Sequence, residues 1–176
     1  GHPEDGVTPG VETTTGPLGQ GFANGVGMAI AAKMAAEGYN TDEHQIIDHY
    51  VYGIVSDGDL MEGLSSEAAS MAGHLGLGNL IYFYDHNRIS IEGSTDLAFT
   101  EERARRFEAF GWHIIDIDGH DCVAAAEAIE EAQADASRPT LIIAHTHIAM
   151  GSPHMVDRAE AHGAPLGEEE VAATKE

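Results

Sequence analysis

Residues 51–63, Val-Tyr-Gly-Ile-Val-Ser-Asp-Gly-Asp-Leu-Met-Glu-Gly, and 79–91, Asn-Leu-Ile-Tyr-Phe-Tyr-Asp-His-Asn-Arg-Ile-Ser-Ile, decide how this chain folds. Each is an apolar, β-branched and aromatic run that stops at turn residues. The first, Tyr50 to Val55, stops at Ser56-Asp57-Gly58; the second, Leu80 to Tyr84, stops at Asp85-His86-Asn87. Between them Leu64 to Leu77 carries helical spacing, with Ala68, Met71, Ala72 and Leu75 on one stripe. Strand, turn, helix, strand, turn is a βαβ unit, whose two strands lie parallel. Ligands of such sheets sit outside the carboxyl ends of the strands, so Asp57 and Asn87 are expected to face one crevice. Both offer hard oxygen ligands of the kind that hold Mg²⁺ or Ca²⁺ together with a phosphate. Gly58 permits a tight turn and a close backbone approach there. Asp-Gly and His-Asn are also ordinary turn residues, and on these two strand ends alone both readings stand.

The 176 residues suit one domain, and 43% hydrophobic content is enough for a core. No apolar run reaches the ~18 residues of a membrane span, and no signal peptide opens the chain. The one cysteine, Cys122, allows no internal disulfide, which fits a reducing, cytoplasmic setting; it reads as a small buried or half-buried side chain. Thirty acidic residues face eight basic ones, for a formal net charge of −22. Nucleic acid is thereby disfavoured as a partner, because phosphate backbones need basic patches. So acidic a surface also suggests a salt-adapted source.

Residues 1 to 15 read as loop. Gly16-Pro17-Leu18-Gly19 then opens a helix to about Gly38. Its Gly/Ala-rich composition (Gly25, Gly27, Ala29, Ala31, Ala32, Ala35) predicts close packing against another backbone, and hence a buried helix. A helix start behind a glycine-rich turn is also an anion site, since free N–H groups and the dipole face the ligand. Further along, a polar loop is expected over Ile91 to Leu97. A helix should begin at Thr100 to Arg103, a strand run from Trp112 to Ile117, and Asp121 cap a helix through Ala136. Thr140 to Ala144 reads as another strand, and Gly167 to Glu176 as a helix start. The class is α/β: a parallel sheet flanked by helices. His145 and His147 alternate on one side of an extended segment, too few for a metal site by themselves.

Five blocks carry a resemblance: Gly1-His2-Pro3-Glu4, Thr13 to Gly21 (Thr-Thr-Thr-Gly-Pro-Leu-Gly-Gln-Gly), Asp57 to Gly63, Ala72-Gly73-His74-Leu75, and His162-Gly163-Ala164-Pro165-Leu166. In order and spacing they resemble the transketolase family, over nearly the whole chain. The stretch from Ser56-Asp57-Gly58 to Asn87 is similar to the thiamine diphosphate motif, with Ser56 in place of its usual Gly and His86 in place of an acidic residue. The resemblance implies a thiamine diphosphate-binding fold with thiamine diphosphate and Mg²⁺ (or Ca²⁺) as cofactors. Asp57, Asn87 and the backbone carbonyl of Ile89 would be metal ligands. Gly16, Pro17, Leu18, Gly58, Asn87 and His162 would contact the cofactor, and His2 and His162 the reacting sugar phosphate. Glu62 caps the next helix or, by resemblance, lies near the cofactor and a subunit contact. Asp59 would add negative charge near the metal.

The implied reaction passes a two-carbon ketol unit from a ketose phosphate to an aldose phosphate, in the pentose phosphate pathway. In the family a second domain type grips the aminopyrimidine. This chain, residues 1–176, is therefore expected to be the diphosphate-binding domain only. It would lack the pyrimidine-binding domain, be incomplete at the N-terminus relative to the family, and be inactive alone. A pyrimidine-binding domain or subunit and, in the full enzyme, a homodimer are the implied partners. The remaining alternatives are a related thiamine enzyme (dihydroxyacetone or deoxyxylulose phosphate synthase) and a non-catalytic cofactor- or partner-binding module.

Overall fold

A computed structural model describes residues 3–176. The predicted unit is present. Strand β1 (Val51–Ser56) is followed by a five-residue helix α2 (Asp57–Met61), helix α3 (Gly63–His74) and strand β2 (Leu80–His86). The strands pair in parallel, Val51 opposite Leu80 and Ser56 opposite Asp85. Strand β5 (His113–Asp118) and strand β6 (Thr140–His145) complete a sheet of order β1-β2-β6-β5, parallel throughout. Every strand therefore ends on the same side, and the residues after β1 and β2 are neighbours.

Helix α1 (Gln20–Tyr39) and α3 cover one face of the sheet. Phe22, Val26, Ala29, Val51, Val55, Ala69, Tyr82, Tyr84, Trp112 and Leu141 close the core there. Helix α5 (Cys122–Ala134) covers part of the other face, through Ala128 and Ala132 on Ile81, Ile115 and Ile142. The burial predicted for α1 holds for one stripe only. Gly25, Val26, Ala29 and Ala32 are buried, while Gly27, Met28 and Met34 are exposed. The reason for small residues is local. Tyr82 stands between α1 and β1, its hydroxyl donating to the Phe22 carbonyl at 2.6 Å. A Cβ on Gly25 would lie 2.1 Å from that hydroxyl, and one on Gly53 would lie 2.4 Å from the ring.

The remaining elements are helix α4 (Arg103–Ala109), helix α6 (Glu168–Thr174) and two short 3₁₀ turns. Asp121 caps α5 as expected, accepting from the Val123 and Ala124 N–H groups. Three expectations are corrected. The loop after Asn87 contains a small antiparallel hairpin, β3 (Ile89–Ser90) with β4 (Gly93–Ser94), because the chain reverses through the turn Ile91-Glu92. Cys122 is exposed, since the first turn of α5 points into solvent. Glu62 precedes α3 but makes no side-chain cap; its Cβ packs where Gly19 has none.

Candidate active site

The site is built where β1 and β2 stop. Ser56 is the N-cap of α2 and forms a capping box with Asp59, so Asp57 is the first helical residue rather than a bare turn. This turns the Asp57 side chain inward, and it is 2% exposed. Its Oδ1 accepts from the Tyr84 hydroxyl, and its Oδ2 from the Arg88 N–H at 3.2 Å. Tyr84 comes from β2, one strand over, and Arg88 directly follows Asn87. The carboxylate thus leans against the loop that carries Asn87, as the parallel pairing requires.

Asn87 is held as firmly. Its Nδ2 donates to Asp85 at 3.1 Å, and its Oδ1 accepts the Ile89 N–H at 2.9 Å. Asp85 is in turn fixed by the Thr146 hydroxyl, from the segment after β6. Arg88 sits at φ 61, a left-handed conformation that aims its N–H back at Asp57.

Electrostatically, burial raises the Asp57 pKa. The Tyr84 and Arg88 hydrogen bonds and the Arg103 charge oppose the rise, and Asp85 adds to it. Tyr84 is pushed well above the usual tyrosine range by burial and by the carboxylate beside it, so it stays a neutral donor. His86 is buried and held down to about 4, by burial first and the Arg103 guanidinium second. It accepts from Arg103 Nη2 at 2.7 Å and stacks on Tyr84. Where the family pattern has an acid, this chain therefore places a neutral ring.

Among the described residues Asp57 has no ion-pair partner. A buried carboxylate with no cation in direct contact is costly, and a divalent cation removes that cost. One carboxylate, one amide oxygen and one backbone carbonyl would make a hard-oxygen set of the kind that phosphate oxygens and water complete. Among the described residues no three His, Cys, Asp or Glu side chains gather in metal-binding geometry. His145 pairs instead with Asp116, and His147 with Asp157.

The glycine-rich loop lies against this corner. Leu18 approaches Gly58 so closely that a Cβ there would meet Leu18 Cδ1 at 3.3 Å. Gly19, at φ 76, is the N-cap of α1 and donates its N–H to Asp59 Oδ1 at 2.9 Å. The structure thus brings together Leu18, Asp57, Gly58 and the loop of Asn87. Gly16 and Pro17 precede Leu18 on the exposed side of the loop. His162 is exposed, after the 3₁₀ turn Ala159–Ala161, and among the described residues no hydrogen bond ties it to Asp57 or Asn87. His2 lies outside the described residues.

Three contributors escaped the sequence, Tyr84, Asp85 and Thr146, and Asp59 was expected only as a charge near the metal. Their partners are 27, 61 and 40 residues away for the Tyr84–Asp57, Thr146–Asp85 and Gly19–Asp59 contacts, separations that periodicity cannot bridge. The Ser56/Asp59 spacing was the one local signal available, as a capping box.

A parallel α/β sheet with a helix N-terminus, a glycine corner and a buried carboxylate at adjacent strand ends defines a phosphate-binding domain. The family described as "Transketolase, thiamine diphosphate binding domain" matches residues 1–176, and the chain belongs to that family. It is 59% identical to "Transketolase 2" of Escherichia coli (strain K12), over all of this chain and 26% of that protein. It is 55% identical to "Transketolase" of Geobacillus stearothermophilus, with the same coverage. Among solved structures, transketolase from Leishmania mexicana superposes with a TM-score of 0.93 at 48% identity, covering 99% of this chain and 26% of that one. A Pichia stipitis transketolase complexed with sedoheptulose 7-phosphate gives 0.93 at 49%, with the same coverage. The chain spans about a quarter of the length of these relatives. The relatives named above are transketolases, neither synthases nor non-catalytic modules.

Proposed function

We propose that the chain is the diphosphate- and metal-binding part of an enzyme that moves a two-carbon ketol unit from a ketose phosphate to an aldose phosphate, in the cytoplasm and within the pentose phosphate pathway. The observation that carries this reading is the buried Asp57 carboxylate, which is ringed by neutral donors beside the Asn87 loop and has no ion-pair partner among the described residues. Asp57, Asn87 and the Ile89 carbonyl would hold Mg²⁺ (or Ca²⁺). Gly58, with Gly16, Pro17 and Leu18 of the loop ahead of α1, would line the diphosphate, and the α1 N-terminus would favour its charge. Bound thiamine diphosphate would supply the carbon nucleophile that the protein itself lacks. His162 and His2 would hydrogen-bond the sugar phosphate and move protons, a task suited to imidazole. A pyrimidine-binding domain or subunit completes the site in this reading, and a homodimer the assembly; the greater length of the relatives supports a second domain type. No described helix is long and apolar enough to cross a membrane.

Asp57→Ala in the assembled enzyme is the test. Removing a ligand should cost more than the ~10–100-fold typical of outer-shell partners, in both metal-dependent cofactor binding and ketol transfer. Intact activity would refute the site. Robust turnover by the isolated chain, with cofactor, Mg²⁺ and sugar phosphates, would refute the division of labour between domains.

A further inference from the structure

From its place in the sequence Asp59 is expected only to add charge near the metal. The structure gives it a different occupation. Its Oδ2 accepts from both the Ser56 N–H and the Ser56 hydroxyl, each at 2.9 Å. Its Oδ1 accepts the N–H of Gly19, 40 residues away, also at 2.9 Å. Its backbone carbonyl receives the Ser65 hydroxyl at 2.5 Å and the Glu62 N–H at 3.3 Å. Three donors meet the carboxylate, and hydrogen bonds to an ionised acceptor are about twice as strong as neutral ones.

The far partner matters most. Gly19 is the N-cap of α1, in the left-handed region, and α1 has no side-chain cap of its own. Asp59 therefore does from outside what the N3 acid of a capping box does from within: it accepts the N–H of the N-cap residue and fixes where the helix begins. The seat is tight, since a Cβ on Gly19 would meet Glu62 Cβ at 2.9 Å and Ser65 Oγ at 3.0 Å. On one side of this joint lies Leu18, against Gly58; on the other, Asp57.

We propose that Asp59 is a positioning residue that locks the glycine-rich loop, residues 16–19, onto the Asp57–Gly58 corner, so that both halves of the anion pocket are in register before a ligand arrives. Ser56 belongs to the same device, because it orients the carboxylate from the opposite side. The proposal rests on the reading of that corner as the diphosphate site. It assigns Asp59 no contact with the cofactor: the effect is preorganisation, which lowers the ordering cost of binding.

Two variants of the assembled enzyme test this: Asp59→Asn, nearly isosteric but turning an NH₂ on either Gly19 or Ser56, and Ser56→Gly, which removes the hydroxyl. The expected results are amide exchange of Gly19 to Ala23 faster in the cofactor-free protein, and thiamine diphosphate half-saturation raised about tenfold at fixed Mg²⁺, the scale of a lost helix cap. kcat at saturating cofactor should be near wild type. Adding Ser56→Gly to Asp59→Asn should cost little more, since the two act through one joint. Wild-type exchange and half-saturation in Asp59→Asn would overturn the proposal. So would exchange that rises equally in β2 and β6, which would mark a general stability role. Asp57→Ala separates the two levels: if it leaves cofactor binding intact, the corner itself is misread, whereas if it abolishes binding while Asp59→Asn changes nothing, only the clamp fails.

Discussion

At the scale of single residues the site depends on how the buried Asp57 carboxyl group is held. Two neutral donors, the Tyr84 hydroxyl and the Arg88 N–H, share the work. Tyr84→Phe keeps the ring and its packing but strips one donor from a 2%-exposed carboxylate. Leaving a buried polar group short of a partner costs about 1–3 kcal/mol, so denaturant unfolding of the cofactor-free protein should show a loss of that size. Calorimetric titration of Mg²⁺ at fixed thiamine diphosphate should show about 10-fold or greater weakening, the effect of losing a partner that orients a metal ligand. Unchanged metal affinity would mean that Arg88 alone orients the carboxylate.

At the scale of elements, α1 is joined to the sheet through Tyr82, wedged between Gly25 and Gly53. Gly25→Ala places a methyl 2.1 Å from the tyrosine oxygen and breaks the 2.6 Å bond to Phe22. Overpacking of this kind costs roughly 1–3 kcal/mol, despite alanine's better helix propensity, and thermal unfolding should report it as a lower Tm. The segment after β6 is tied down differently. Glu170 of α6 accepts from the Ser152 hydroxyl, from the His154 N–H at 2.8 Å, and from His154 Nδ1 at 2.9 Å. The Ser152 bond first, then the His154 N–H, hold its pKa down to about 2, from an ordinary 4.5. A depressed carboxylate pKa means that the unfolded state binds the proton more readily. The tie is therefore at full strength above pH 4.5 and is lost as pH falls through 2. Glu170→Gln should abolish that acid dependence and, near neutral pH, speed amide exchange at His154 and Met155 without affecting β2. Identical acid profiles for the two proteins would remove Glu170 from this role.

At the scale of the whole molecule the dominant fact is a formal charge of −22 on 176 residues. Like charges repel across a compact surface, and salt screens them, with a Debye length of about 10 Å at 0.1 M falling to ~3 Å at 1 M. Raising KCl from low to molar concentration should stabilise the fold by about 1 kcal/mol or more, seen as roughly 2–4 °C in Tm. A flat response would show that the acidic surface carries no salt adaptation.

The sequence by itself determined the parallel βαβ unit, the helix ahead of it and the positions of Asp57 and Asn87. Apolar, β-branched runs and helical-period burial, with Gly and Asx punctuation, are local signals, and the chain obeys them. It also gave family membership, through blocks whose order survives without any knowledge of contacts. Only the tertiary structure decided how the site is held. Tyr84 on Asp57, Thr146 on Asp85 and Asp59 on Gly19 are meetings between residues 27 to 61 apart. Such meetings are set by which strands pair and how helices seat, and a donor buried by a neighbouring strand leaves no mark in its own stretch of sequence. The same reason explains α1: composition announced close packing, but only the sheet beneath it chose which stripe would be buried.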